Sequence, residues 1–348
     1  MTLVVSRFEP AAAADAVLRG YYEVMRASQA RDRVDEPRLT YENCVGRLRT
    51  PFAGLGPVAH WIATAEGEIV GLATVYLMEG PQNGQLAVTD IQVHPRHRRK
   101  GVGTEVLRTL LPWLRENGRT VVEYWQVTKN GDGEHWARGL GMRTTYHNRL
   151  QALSLAEHDP KRWRPDTPRG YRLVQWDDAA PDELLESYVR VHRAMRDAPH
   201  EGMAYQAPEW TVEGIRAREA EFRESGVRQR VVVAVHERTG EVAGFTELEQ
   251  HPHRPRWGYQ RDTGVLSAHR GHGLGYVVKS RMLTWLLADV PDLELVFTGS
   301  NAGNTHMLRV NAELGYTVTR EMIAVNQDID ALAVALGRTE NDSIGSPS

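Results

Sequence analysis

The 348-residue chain predicts an α+β fold made twice: two tandem domains, each a mixed, mostly antiparallel sheet flanked by helices. Three observations predict it. A glycine-rich segment lying between a strand pattern and a helix pattern occurs once in each half. Matching residues run in the same order on both sides of those segments. The length also suits two domains of ordinary size, each able to bury a core without disulfides or metals.

Each half opens on a helix. Residues 11–29 and 181–196 carry apolar positions at helical spacing, Val17, Leu18, Tyr21, Val24 and Met25 in the first case. Residues 60–77 and 231–248 each read as strand, glycine-containing turn and strand, with the E-x-V-G of Glu68–Gly71 answering the E-x-A-G of Glu241–Gly244. A further strand then leads into the repeated segment. DIQVHPRHRRKGVG (90–103) answers DTGVLSAHRGHGLG (262–275), so that Asp90, Val93, Arg98, Gly101 and Gly103 fall on Asp262, Val265, Arg270, Gly273 and Gly275, all 172 positions on. An apolar helix follows, carrying Trp113 and Trp285 at the same offset on its core face. Short β-rich runs come next, RTVVEYWQV and LELVFTGSN, suited to central strands. A second helix ends each time at Leu-Gly, Leu140-Gly141 and Leu314-Gly315, where glycine suits a C-cap. The period is the size of a domain, which makes this a duplication and no solenoid. The expected division is a first domain over 1–157, a linker over 158–170 (proline-bearing, without periodicity), a second domain over 171–336 and a flexible tail over 337–348.

Composition narrows the function. A formal charge of −3 argues against a general nucleic-acid binder. Cys44 is the only cysteine, so an internal disulfide or a cysteine zinc site is impossible. The first residues lack the basic and apolar regions of a signal peptide, and no stretch has the apolar length of a membrane span. A cytoplasmic protein, monomer or homodimer, is expected.

The glycine-rich loop carries the chemistry. Between a strand and a helix, unpaired backbone N–H groups and the helix dipole favour an anion. Glycines let backbone approach a diphosphate closely, and flanking Arg and Lys add charge. A Walker A loop is excluded because no Gly-Lys dipeptide occurs in the chain. Residues 271–275 lack the G-x-G-x-x-G spacing of a Rossmann loop and come late in their domain.

R-x-x-G-x-G after a strand, with Val93-His94-Pro95 upstream in the first half and Asn…Leu-Gly downstream, resembles the GNAT superfamily of acyl-CoA-dependent N-acetyltransferases. The second half, HRGHGLG and then N-x-x-M-x-x-V-N-x-x-L-G-Y, is similar to tandem GNAT proteins common in actinobacteria, with mycothiol synthase a more distant tandem relative. The resemblance implies acetyl-CoA, or another acyl-CoA, as co-substrate. It implies cofactor contacts from Val93, Arg98, Arg99, Lys100, Gly101, Val102, Gly103 and Asn130 in the first half. In the second they are Val265, Arg270, Gly271, His272, Gly273, Leu274, Gly275 and Asn304. It further implies a carboxylate base, backbone polarisation of the thioester, and a tyrosine that protonates the leaving thiolate.

The tyrosine positions hold Ala137 and Asn311, neither able to act as an acid, with Tyr124 and Tyr316 nearby in sequence. Asp262 and Asp90 are the candidate bases, since each precedes its loop on the strand that flanks the thioester. Glu247 and Glu249 on the preceding strand are the alternatives. Each has a structural counterpart: an aspartate at a strand bulge caps amides, and strand glutamates are ordinarily solvated. His269 and His272 have a spacing that suits a metal, but their place in the loop gives them to the diphosphate, and no metal is expected. The basic run Arg96–Lys100 is explained the same way. Residues 195–210 fall where GNAT folds line the acceptor pocket, with Asp197, Glu201 and Glu209 available to a cationic amine. The extra glycine at 271 favours the second half as catalytic. The expected activity is acetyl transfer to a small-molecule amine. A silent CoA-binding sensor or scaffold, and a protein N-acetyltransferase, are the alternatives.

Overall fold

The computed structural model describes residues 2–50, 54–194 and 202–341. Contacts divide them into two compact units. Unit 1 takes the described residues up to His147, Gly202–Gln206, and the chain from Met322 on. Unit 2 takes Asn148–Ala194 and Ala207–Glu321.

In unit 1, β1 (Leu3–Phe8), β2 (Val58–Ala65), β3 (Glu68–Leu77) and β4 (Leu86–Val93) pair antiparallel in chain order. β4 then pairs in parallel with β5 (Val121–Thr128). A parallel pair needs a crossover, and α3 (Val102–Glu116) supplies it. Its Val106, Leu107, Leu110, Leu111 and Leu114 recur at helical spacing and are buried, each contributing about 1.5–3 kcal/mol if fully removed from water. α4 (Asp132–Gly139) and α9 (Ile329–Asn341) join that core through Ala137, Leu332 and Leu336. α1 (Asp15–Asp32) and α2 (Tyr41–Arg49) form a second core, in which Leu18, Tyr21 and Val24 meet Cys44, Leu48 and Leu72.

Unit 2 repeats the plan. β7 (Tyr171–Asp177), β8 (Arg228–His236), β9 (Val242–Gln250) and β10 (Trp257–Val265) are antiparallel neighbours. β10 runs parallel to β11 (Leu295–Asn301), and α7 (Leu274–Asp289) makes the crossover. α5 (Asp182–Ala194) and α6 (Val212–Ser225) belong to one core, α7 and α8 (Thr305–Leu314) to another. In each unit the described strands make the mixed, mostly antiparallel sheet that the repeat predicts.

The units cut across the expected division at 158–170. The second part of β6 (Arg143–Ser154) pairs with β11 in unit 2, while Met322–Asp328 of β12 (Thr317–Asp328) pairs with β5 in unit 1. Each half of the sequence thus gives the end of its last strand to the other half's sheet. The repeat cannot reveal this, because an edge strand offers the same backbone partners to either copy. The expected linker is also tied down: Trp163 is 1% exposed, and its indole N–H donates to Leu314 O at 2.9 Å. At the other end α9 continues to Asn341, through the start of the expected tail; 342–348 lie outside the described residues.

Candidate active site

In both units the strand passes through a short 3-10 turn, Pro95–His97 or Ser267–His269, into the glycine loop. Gly101 (φ 78°) and Gly273 (φ 73°) are left-handed and cap the following helices from the N-terminal side, with no side-chain cap on either. The first N–H groups of α3 and α7 are therefore left for an external acceptor. A Cβ added at Gly101, Gly271 or Gly273 meets nothing within 4 Å, so the loop backbone borders open space. Val102 and Leu274 point the other way, at 2% and 1% exposure, and offer a ligand only their main chain. Val93 and Val265 are half-buried beneath Gly103 and Gly275.

The loops differ at two matched positions. Arg99 sits at φ 62° where unit 2 has Gly271 at φ 86°; the left-handed backbone costs a side-chain-bearing residue about 1–2 kcal/mol. Arg98 gives its guanidinium to Asp32 Oδ1 (2.8 Å), Asp132 Oδ2 (2.9 Å) and Ser28 Oγ (3.2 Å). The Asp32 hydrogen bond leads in raising its pKa above the ordinary value. It knits α1 and α4 to the loop. Arg270 is exposed and forms no ion pair among the described residues; its Nε–H donates to Val265 O at 3.4 Å. Arg99, Lys100 and His272 are exposed, and the His272 ring lies 5.6 Å from that of Tyr171.

Past the loop strands, the parallel pairs open. β4 and β5 are paired from Leu86↔Val121 to Val88↔Glu123 only, and β10 and β11 from Trp257↔Leu295 to Gln260↔Thr298. In unit 1 the face of β5 away from α3 is covered by Gly202–Gln206. Ala204 N–H and Asn326 Nδ2–H donate to Glu123 Oε2 at 2.6 and 3.0 Å. Asn83 and Gln206 exchange two hydrogen bonds, at 2.8 and 2.9 Å, and Trp125 meets Tyr205 edge-on at 5.3 Å. The segment 195–210, expected to line the acceptor pocket, is divided: Gly202–Gln206 belong to unit 1 and Ala207–Trp210 to unit 2. Asp197 and Glu201 lie outside the described residues, and Glu209 is exposed.

The candidate bases part company. β10 breaks register with β9 between Gln260 and Thr263, which puts Asp262 on a bulge, exposed. β4 keeps register with β3 throughout, Thr74 opposite Asp90, and Asp90 accepts from Gln92 Nε2 at 2.8 Å. Only one of the two aspartates therefore occupies a bulge.

Glu247 and Glu249 are not solvated strand residues, as their type alone suggests. They are 1% and 3% exposed, and both face Arg218 of α6 at 3.4 Å. The Tyr188 hydroxyl donates to Glu247 Oε1 at 2.5 Å. His192 Nε2 stands 3.1 Å from the same oxygen, out of line for a good hydrogen bond. Burial pushes the Glu247 carboxyl up, but Arg218, His192 and Tyr188 together hold it well below the usual carboxylate range. For Glu249 burial is likewise outweighed, by Arg261, His251 and Arg218, leaving it at about 2. Carboxylates so held are poor proton acceptors. Nothing in the sequence distinguished them, because α6, which brings Arg218, has few apolar markers: Ile215 and Phe222 are buried beside a buried Glu219.

Ala137 is buried, and Asn311 donates its amide to Gln151 Oε1 (2.9 Å) and Ser300 Oγ (3.2 Å). Tyr124 and Tyr316 are buried with hydroxyls that find no partner among the described residues, and burial raises both pKa values. Asn130 has φ 60°, and its N–H donates to Glu134 at 2.5 Å. Asn304 caps α8, its Oδ1 accepting from Met307 N–H at 3.0 Å.

The family model described as acetyltransferase (GNAT) family matches residues 22–142 and 173–316. The chain is 30% identical over 270 residues to a mycothiol acetyltransferase of Amycolatopsis mediterranei, covering 74% of this chain and 80% of that one. It is 27% identical over 315 residues to the mycothiol acetyltransferase of Thermomonospora curvata, covering 84% and 94%. Among solved structures, a tandem GNAT protein from the clavulanic acid biosynthesis pathway superposes with a TM-score of 0.75 at 24% identity, over 94% of this chain and 99% of that one; that likeness is one of fold. No described helix is long and apolar enough to cross a membrane.

Proposed function

The chain belongs to the GNAT acetyltransferase family and is an N-acetyltransferase, and from that premise we propose that unit 2 moves acetyl from acetyl-CoA to the amine of a small molecule. Enzymes of this family use acetyl-CoA. The uncapped N-terminus of α7 and the loop Arg270–Gly275 would hold its diphosphate, with Val265 and Asn304 along the pantetheine arm. The acceptor enters as an ammonium, whose pKa near 10 requires that a proton be taken before attack. Asp262 is the residue assigned to that proton. The amine nitrogen then bonds to the thioester carbonyl carbon, the C–S bond breaks, and coenzyme A leaves as the thiolate. A thiolate is stable enough to leave without the tyrosine that Asn311 replaces.

One observation carries the choice of unit. β10 breaks register at Asp262 beside an opened strand pair, whereas β4 runs unbroken and Gly202–Gln206 lie against the neighbouring β5 at Glu123 and Trp125. Unit 1 is then the partner half, binding acetyl-CoA without turnover or serving structure alone. Relatives named mycothiol acetyltransferase, matched over most of their length, support a small-molecule acceptor over a protein one. The test is calorimetric titration of acetyl-CoA into wild type, Gly101→Glu/Gly103→Glu and Gly273→Glu/Gly275→Glu proteins, followed by an amine screen that reads released thiol. Loss of turnover in the second pair alone is expected. Turnover that survives there and disappears in the first pair overturns the assignment.

A further inference from the structure

A cluster unrelated to acetyl transfer sits where the glycine loop of unit 2 begins. We propose that His236, Glu241 and His269 form a binding site for one divalent transition-metal ion, with zinc as its fitting occupant. One ligand atom from each residue can be chosen so that all lie within 4.8 Å of one another. His269 Nε2 and Glu241 Oε1 are 3.0 Å apart. Zinc–ligand bonds of about 2.0–2.1 Å in a tetrahedron place ligand atoms roughly 3.3 Å apart, so this edge needs little adjustment.

The rings are also oriented as ligands. The Tyr171 hydroxyl is 2.8 Å from His269 Nδ1, and Thr239 Oγ1 is 2.9 Å from His236 Nδ1. Each imidazole thus carries an outer partner on Nδ1 and keeps Nε2 for the ion, the arrangement by which proteins fix the tautomer of a metal-binding histidine. A hydroxyl can accept from Nδ1–H as readily as it donates, so the metal-binding tautomer costs no partner. The backbone holds the spacing. His236 N–H donates to Glu241 O at 2.9 Å and Gly240 N–H to His236 O at 2.8 Å across the β8–β9 turn, where Gly240 has φ 72°.

Two histidines and a carboxylate suit zinc and leave a fourth position for water. The ion replaces the proton between His269 and Glu241, and ties the β8–β9 turn to the residue just before Arg270. Unit 1 provides an internal contrast. Its matching turn, Ala65-Glu66-Gly67-Glu68, has no histidine, although Glu68 and His97 stand where Glu241 and His269 do. The pairing that sequence spacing suggests, His269 with His272, is not the one that converges.

The full chain, without a histidine tag and stripped with chelator, is titrated with Zn2+ by calorimetry and with Co2+ by visible absorption. The expected result is one zinc per chain, a tetrahedral Co2+ spectrum and a rise in Tm on adding zinc. His236→Gln and Glu241→Gln each weaken binding at least tenfold and abolish the Tm rise, while His94→Gln/His97→Gln in unit 1 changes neither. Circular dichroism of the metal-free variants checks that they fold. Absence of stoichiometric binding in wild type overturns the site, and so does undiminished binding in the His236→Gln/Glu241→Gln double variant.

Discussion

Arg218 Nη2 lies 3.4 Å from Glu247 Oε2 and the same distance from Glu249 Oε1, so one guanidinium serves two buried carboxylates. It is itself packed between the rings of Trp210 and Phe222, at 5.2 and 5.1 Å. Removing one partner from a buried ion pair costs far more than the pair contributes, because the remaining charge has no water to return to. Arg218→Met is expected to destabilise unit 2 by about 3–5 kcal/mol, measured by urea denaturation at neutral pH.

The same pairs set the acid limit of the fold. Both glutamates are lowered from 4.5, Glu249 to about 2, so their stabilisation is complete above 4.5 and is lost as pH falls toward 2. Arg218→Met removes the largest lowering influence on Glu247 but leaves Arg261 and His251 beside Glu249, so the variant is expected to lose less stability than wild type as pH falls from 5 toward 3.5. Thermal melts at pH 7, 5 and 3.5 test this. Parallel losses in the two proteins would show that Arg218 does not govern the pair.

Lys279 of α7 is 1% exposed, with Nζ 5.3 Å from the Tyr316 ring centre, and burial lowers its pKa from 10.5 to about 7. Between those values the unfolded chain binds more protons than the folded one, so stability rises with pH. Lys279→Met is expected to be more stable than wild type at pH 7 and to lose the upward slope between pH 7 and 10. Denaturation at pH 7, 8.5 and 9.5 reads the slope directly.

The loops respond differently to the same change of residue. Gly271 needs its left-handed φ of 86°, and Gly271→Ala is expected to cost about 1–2 kcal/mol. Arg99 already bears that strain at φ 62°, so Arg99→Gly trades it against the entropy of a freer unfolded chain, about 0.5–1 kcal/mol, and is expected to be neutral or slightly stabilising. Equilibrium unfolding of the two variants distinguishes these outcomes.

For catalysis, Asp262→Ala is expected to lower kcat by about 10²–10⁴ while the Kd for acetyl-CoA stays within a few-fold. Asp90→Ala leaves kcat unchanged. Steady-state thiol release and calorimetry on both variants decide between the units; the opposite pattern would move the chemistry to unit 1.

The sequence by itself determined the duplicated α+β plan, the strand–loop–helix units, and the family. These rest on features a chain carries locally: period-two and helical apolar spacing, and glycines at 101 and 273 where a left-handed backbone is needed. Tertiary structure alone decided which strands complete which sheet, since the backbone donors and acceptors of a strand do not record which edge they will pair with. It also decided the fate of the polar residues. Asp262 and Asp90 occupy matched positions, yet only the first sits on a bulge. Arg98 is bound by two aspartates distant in sequence, and Glu247 is buried against Tyr188, His192 and Arg218. The physical reason is that a charged side chain's role depends on partners within a few ångströms, and burial multiplies what those partners are worth. No local spacing records which partners folding will supply.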